Sequence, residues 1–376
     1  MFELKGKYNE CKVFTDNIDP TCVGQIQAFL NQESMKDSQI RIMPDCHYGR
    51  GCVIGFTQTI TDKVIPNFVG SDIGCGMHNV KLEEKRIELP KLDSVIRKYI
   101  PSGGSIRSRS GIHKNAKQLN VKDLYCFGQK NSKVNEHDFL CSMGTLGGGN
   151  HFCEVDKDDE GNLYLVVHTG SRKCGTQVAE YYQNIAYQEM KEKGLNISYD
   201  LSYCEGKSLN NYLHDMKIMQ EYAYWNRKTI VDIILKEMKL HIADEFETIH
   251  NYIDMDNMIL RKGSISAQEG ERILIPINMR DGALICIGKG NKDWNYSAPH
   301  GAGRLMSRSE AKNSIILSDF KKTMEGIYST SISKSTIDES PFAYKSMEDI
   351  VNNIGDTAEI ERIIKPIYNF KASEKE

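Results

Sequence analysis

The stretch Val69-Gly-Ser-Asp-Ile-Gly-Cys-Gly-Met77 sets three glycines around an acid and a thiol that stand three residues apart. Glycine adopts positive φ without steric cost, so such a loop can aim Asp72 and Cys75 at one point. A chain that carries it must also build a scaffold able to hold a tight, irregular loop. Two readings fit these nine residues alone. One is a sharp turn with a buried cysteine. The other is a pair of metal ligands, a soft thiolate beside a hard carboxylate. The choice between them depends on further donors elsewhere in the chain.

Composition narrows the setting. Eleven cysteines are scattered through 376 residues with no Cys-x-x-Cys pair, which argues against a zinc ribbon or a thioredoxin motif. Unpaired thiols in a long chain suit a reducing compartment, so a cytoplasmic location is expected. The N-terminus has no apolar signal-peptide core, and no apolar run approaches the length of a membrane span. A net charge of −3 excludes a global basic field, so a nucleic-acid partner would need a local positive patch. Residues 102–117 offer one candidate. They are Gly/Ser-rich and carry Arg107, Arg109, Lys114 and Lys117 with no acid between them. The segment reads either as a surface loop or as a contact for RNA phosphates.

Further donors arrive on similar loops and strand ends. Gly144 and Gly147 to Gly149 precede Asn150-His151, and Glu154 follows on an emerging strand. The run Leu163-Tyr-Leu-Val-Val reads as a buried strand that delivers His168 at its end, with a helix expected from about Thr176. Arg172 in the intervening turn suits a phosphate, because its planar fork binds phosphate oxygens in pairs. Asp45 and His47 follow Pro44 at a turn, as a satisfied Asx-turn or as groups that orient a ligand. His250 and His300 are weaker signals. Residues 208–245 read as helix, with His250 just beyond, and His300 lies in a Gly-rich loop beside Arg304. The pattern Ser307-x-x-Glu310 predicts a helix start. Residues 1–40 read as a strand and then a helix from Asp19-Pro20, with Val23, Ile26 and Leu30 on its apolar face. Two strands are expected to flank the turn Arg280-Asp281-Gly282.

Six segments in order resemble the signatures of the RtcB-type RNA ligases. They are Met43-Pro-Asp-Cys-His-Tyr-Gly, Val69-Gly-Ser-Asp-Ile-Gly-Cys-Gly-Met, Gly144-Thr-Leu-Gly-Gly-Gly-Asn-His-Phe-x-Glu, His168-Thr-Gly-Ser-Arg, His250-Asn and Pro299-His-Gly-Ala-Gly-Arg. The resemblance runs from about Ile42 to Lys371. It implies a GTP- and manganese-dependent ligase that joins RNA 3′-phosphate or 2′,3′-cyclic phosphate ends to 5′-hydroxyl ends, in RNA repair or tRNA splicing. Cys75 would bridge two manganese ions, with His151 and His168 on one and Asp72 and His250 on the other. His300 would be the nucleophile that takes GMP from GTP. Asn150, His151, Phe152, Cys153, Glu154, His250, Asn251, Pro276, Ile277, Asn278, Met279, His300, Gly301, Ala302, Gly303 and Lys371 would line the nucleotide site. Arg172 would contact an RNA phosphate. RNA, GTP and an archease-type activator are the implied partners. One departure stands out, because Ala283 occupies a position near which the family usually has a serine. That implies one hydroxyl contact fewer to the nucleotide.

The expected architecture is α+β: a single domain over residues 1–376, with mixed β-sheets, outer helices and a central metal and nucleotide cleft. The motifs interleave along the chain, which disfavours a split into two domains. A competing function on the same scaffold is a metal-dependent cyclic-phosphate hydrolase or phosphodiesterase, which would need the metal ligands but not His300.

Overall fold

The computed structural model describes residues 1–372. Its centre is a seven-stranded antiparallel sheet in the order 242–249, 76–82, 163–169, 152–157, 358–370, 282–288 and 272–278. The strand Leu163–Thr169 is buried along its whole length, as its nearly unbroken apolar sequence requires. A second sheet of six strands runs 2–5, 10–13, 40–47, 54–59, 259–262 and 251–254, and is mixed because 10–13 and 40–47 pair in parallel. The α+β class with outer helices is the architecture observed. No helix among the described residues is long and apolar enough to cross a membrane.

The 33-residue helix Gly206–Met238 packs against both the sheet and the helix Arg172–Glu192. It opens on a reciprocal cap between Glu205 and Ser208. Leu209, Met216, Met219, Ala223, Ile230 and Ile234 are buried along it, as their helical spacing predicts, while Leu213 in the same series is only half-buried.

Several expectations need correction. The first 40 residues begin with two strands, Phe2–Lys5 and Glu10–Val13, before the helix Pro20–Leu30. Asp19 caps that helix by accepting from the Thr21 N–H at 2.7 Å, but Cys22 and Phe29 join Ile26 and Leu30 in the core while Val23 is only half-buried. The helix after His168 starts at Arg172, ahead of Thr176. Residues 242–245, expected as the end of the helix, belong to the edge strand 242–249: the helix stops at Lys239, which takes a left-handed conformation. The expected turn at 280–282 does join two strands, Arg272–Asn278 and Gly282–Gly288.

Candidate active site

The central sheet gathers residues that are far apart in sequence. Cys75 immediately precedes the strand Gly76–Leu82, and His151 precedes Phe152–Lys157. His168 lies near the end of its strand, and His250 directly follows Ile242–Ile249. The register places Met77 opposite His168, His168 opposite Phe152, and Ile249 opposite Gly76. Four adjacent strands therefore present the four donors along one sheet end. The His250 N–H donates to the Cys75 carbonyl at 2.9 Å and fixes that alignment.

Cys75 Sγ lies 3.4 Å from His151 Nε2 and 3.3 Å from His168 Nε2. Asp72 Oδ2 is 2.9 Å from His151 Nε2, and His250 Nε2 is 3.4 Å from His168 Nε2. The donors form two overlapping clusters, Asp72–Cys75–His151 and Cys75–His168–His250. The thiol is common to both, which is the geometry of a bridge. The division differs from the expected one: His151 belongs with Asp72, and His168 with His250.

The protonation pattern tests whether cations fit. His151 Nδ1 lies 2.9 Å from the Leu146 carbonyl oxygen, and His168 Nδ1 lies 3.0 Å from that of Asn150. A carbonyl only accepts, so each Nδ1 carries a proton; His168 Nε2 then carries a lone pair, and His151 Nε2 presents one once the proton it shares with Asp72 gives way to a cation. Both Nε2 atoms converge on one sulfur, and His250 Nε2 faces that of His168, an arrangement that a bound cation resolves. Burial drives His168 and His250 well below the ordinary histidine range, which keeps both neutral. Burial also pushes the Cys75 thiol up, and the Asp72 carboxylate adds to that, so a thiolate there needs a cation beside it. Burial works against the Asp72 charge too, but the hydrogen bond and charge of His151, with Arg172 beyond, hold it at about 2. The donor set thus fits two divalent cations that share one thiolate.

Two residues of the long helix tie this arrangement together. Arg227 is fully buried, and its Nη1 donates to the Gly74 carbonyl at 2.7 Å and the Thr169 carbonyl at 3.0 Å. Asn226 accepts from the Gly144 N–H at 2.7 Å and donates to the Gly170 carbonyl at 3.0 Å. Three ligand-bearing segments therefore hang on adjacent side chains.

A cavity of about 1250 Å³ opens beside the clusters. Asp72, Cys75, His168 and His250 border it, as do Asn150, Phe152, Glu154, Asn251, Pro276 to Met279, His300 to Gly303 and Lys371. Cys153 does not; it is buried on the opposite face of its strand, in an apolar cluster with Val155 and Phe370. Ala283 also lies away from the cavity, in a cluster with Leu274, Ile285 and Ile364. A missing hydroxyl there removes nothing from the cavity wall. His151 lies beneath the wall, buried behind Asp72 and Cys75. Arg172 packs its guanidinium over Gly147, which has φ +82° and where any side chain would collide with that group. Arg107 does not serve as a free phosphate contact, because it donates to the carbonyls of Tyr99, Met143 and Gly144. Arg109, Lys114 and Lys117 remain exposed.

Asp45 has no exposed surface, and its Oδ2 lies 2.6 Å from His300 Nδ1 and 3.1 Å from the His300 backbone nitrogen. Asp45 lies within the strand Ile40–His47 and not at the expected turn; it is an orienting group, and His300 is what it orients. With Nδ1–H donated to Asp45, the ring's other nitrogen keeps its lone pair. The His300 and His250 ring centres are 4.8 Å apart, which sets the His300 ring beside the second cluster. His47 donates to the Asp45 carbonyl at 2.9 Å, and burial lowers it to about 4. Gly303, at φ +78°, lets the loop after His300 pass against the Asp45 backbone. A Gly303→Ala protein is expected to lose roughly 1–3 kcal/mol of stability from backbone strain, with a further cost from that contact, read as a lowered Tm in thermal denaturation.

Several cavity residues carried no sequence signal. Lys262 donates to the Asn67 carbonyl at 2.9 Å from a strand that reads as ordinary core. Glu339 lies 3.0 Å from the Lys371 ammonium and also faces Arg304 and Arg308. Burial would raise Glu339, but the charges of Lys371, Arg308 and Arg304 bring it to about 2.

A model of the family described as tRNA-splicing ligase RtcB matches residues 30–372. RNA-splicing ligase RtcB of Escherichia coli K12 is 29% identical over 355 residues, covering 85% of this chain and 87% of that protein. RNA-splicing ligase RtcB2 of Escherichia coli ATCC 25922 is 26% identical over 364 residues, covering 89% and 87%. The tRNA-splicing ligase RtcB of Aeropyrum pernix is 26% identical over 402 residues, covering 82% of each.

Proposed function

The chain belongs to the tRNA-splicing ligase RtcB family and is an RNA ligase, and from that premise we propose that it joins RNA 3′-phosphate ends to 5′-hydroxyl ends using GTP and two manganese ions. Residues 45 to 371 contribute to one site, and we treat the chain as one catalytic domain. The observation that carries the reading is His300, whose Nδ1 is pinned to a buried carboxylate while its ring stands against the metal-type cluster.

His300 Nε2 attacks the α-phosphorus of GTP and pyrophosphate leaves, which gives a phosphoramidate to GMP. The RNA 3′-phosphate then attacks that phosphorus and frees His300. The 5′-hydroxyl of the second RNA attacks the activated phosphate and expels GMP. A 2′,3′-cyclic phosphate is first opened to a 3′-phosphate. Asp72, Cys75 and His151 would hold one manganese ion and Cys75, His168 and His250 the other, where they supply charge to offset phosphate oxygens. Arg172 adds a guanidinium for an RNA phosphate. Asn150, Phe152, Glu154 and Lys371 surround the nucleotide. Eleven buried free cysteines suit the reducing cytoplasm. An archease-type protein is the activating partner to test.

Purified protein incubated with manganese and α-labelled GTP should form an acid-labile GMP adduct. The absence of an adduct with every divalent metal tried overturns the reading. Asp45→Asn should keep the fold yet slow adduct formation by roughly 10²–10⁴-fold, because an amide can leave the imidazole in the wrong tautomer. Single-turnover labelling beside a circular-dichroism melt checks both halves.

A further inference from the structure

Phe152, Glu154 and Asp156 alternate along one face of the strand Phe152–Lys157. The first two border the cavity, whereas Asp156 lies deeper with no exposed surface. Strand pairing sets Asp156 opposite Tyr164 and Pro366, and Glu154 opposite Val166 and Asn369. The Tyr164 hydroxyl donates to Asp158 at 2.9 Å, and a proline has no N–H to give. Among the described residues no donor reaches either Asp156 oxygen. The group within its reach is the Glu154 carboxyl, which itself accepts from Asn369 Nδ2. Two carboxylates cannot both stay ionised in contact at a buried site, so a proton must lie between them.

We propose that Asp156 is a neutral acid that donates its proton to the Glu154 carboxylate, and that this bond positions Glu154 to accept the Watson–Crick edge of guanine. The role rests on the reading that GTP occupies the cavity. Guanine presents two donors on that edge, N1–H and the 2-amino group. A carboxylate offers two acceptor oxygens with lone pairs to spare. Glu154 can take Asn369 and Asp156 from behind and still meet guanine in front. A protonated Glu154 would set a donor against N1–H and refuse the base. Of the groups facing the pair from neighbouring segments, Tyr164, Pro366, Asn369 and Lys371, the lysine alone is charged, and its ammonium favours the Glu154 carboxylate. Burial raises both acids, but Glu154 has the Asn369 amide and the Lys371 ammonium to favour its charge and Asp156 has no donor of its own, so Asp156 holds the proton.

GTP affinity measured by calorimetry from weakly acid to weakly alkaline pH tests this in the wild type, Asp156→Asn and Asp156→Leu. Wild-type affinity should rise with pH through a midpoint above the ordinary carboxylate range, where Glu154 ionises. Asp156→Asn keeps a donor toward Glu154 and should bind much as the wild type does. Asp156→Leu removes the donor, so the midpoint should move up and affinity at neutral pH should fall about tenfold for each pH unit moved. An ionised, repelling Asp156 would give the opposite shift, so an unchanged or lowered midpoint in Asp156→Leu overturns the proposal. So does an Asp156→Asn protein as weak as Asp156→Leu. Infrared spectra of the nucleotide-free protein should show a protonated-carboxyl carbonyl band at neutral pH that Asp156→Asn abolishes; a wild type without that band also overturns it. A wild type that binds no GTP at any pH would remove the nucleotide reading and this role together, while the infrared band would still report the shared proton by itself.

Discussion

Replacing His300 by alanine should leave a folded protein that forms no GMP adduct and ligates no RNA, a loss on the order of 10⁴-fold or more. The imidazole is the side chain that the site orients toward the cavity without giving it a metal-type partner. Its removal leaves the Asp45 carboxylate buried but still bonded to the backbone nitrogen of residue 300. The stability cost should therefore stay within about 1–3 kcal/mol. Labelled-GTP gels read the chemistry, and a thermal melt reads the fold. An acid-labile adduct that persists in His300→Ala would place the nucleophile elsewhere and sink the mechanism. An adduct lost together with the melting transition would leave the assignment to a gentler substitution such as His300→Asn.

Cys75→Ala should have the largest effect on metal binding, because its sulfur is common to both clusters. Loss of an orienting neighbour of a ligand already costs about 10–100-fold in affinity, and loss of a shared ligand should exceed that at both positions. His151→Ala is the informative contrast. It removes a donor from the Asp72 cluster and leaves Cys75, His168 and His250 complete. Manganese titration by calorimetry should find two ions in the wild type, one retained tight ion in His151→Ala and neither in Cys75→Ala. Wild-type stoichiometry in Cys75→Ala would overturn the bridge.

Much of this site was legible in the sequence because its parts lie where local rules speak. Asp72 and Cys75 sit in a glycine loop, His151 follows a glycine run, and His168 ends an apolar strand. Their division into clusters was not legible. It depends on the register among four strands, and no local pattern encodes that long-range pairing. Asp45 reads either as an Asx-turn residue or as an orienting group, and the partner that decides between them lies 255 residues away. The start of the strand 242–249 reads as helix because Ala243 and Glu245 are good helix formers that follow on from the preceding apolar spacing. Pairing with 76–82 overrides that preference at the sheet edge. Asp156, Lys262 and Glu339 stand in ordinary contexts, and only burial reveals that their polar groups need partners.

Asn226 and Arg227 concentrate the frailty of the centre at a distance from its chemistry. Neither side chain is a ligand, yet together they fasten the segments that carry Asp72, Cys75, His151 and His168. A lineage could keep every ligand intact and still go silent through drift at this one dipeptide. The catalytic inventory would then look complete in a chain that had lost the means to assemble it.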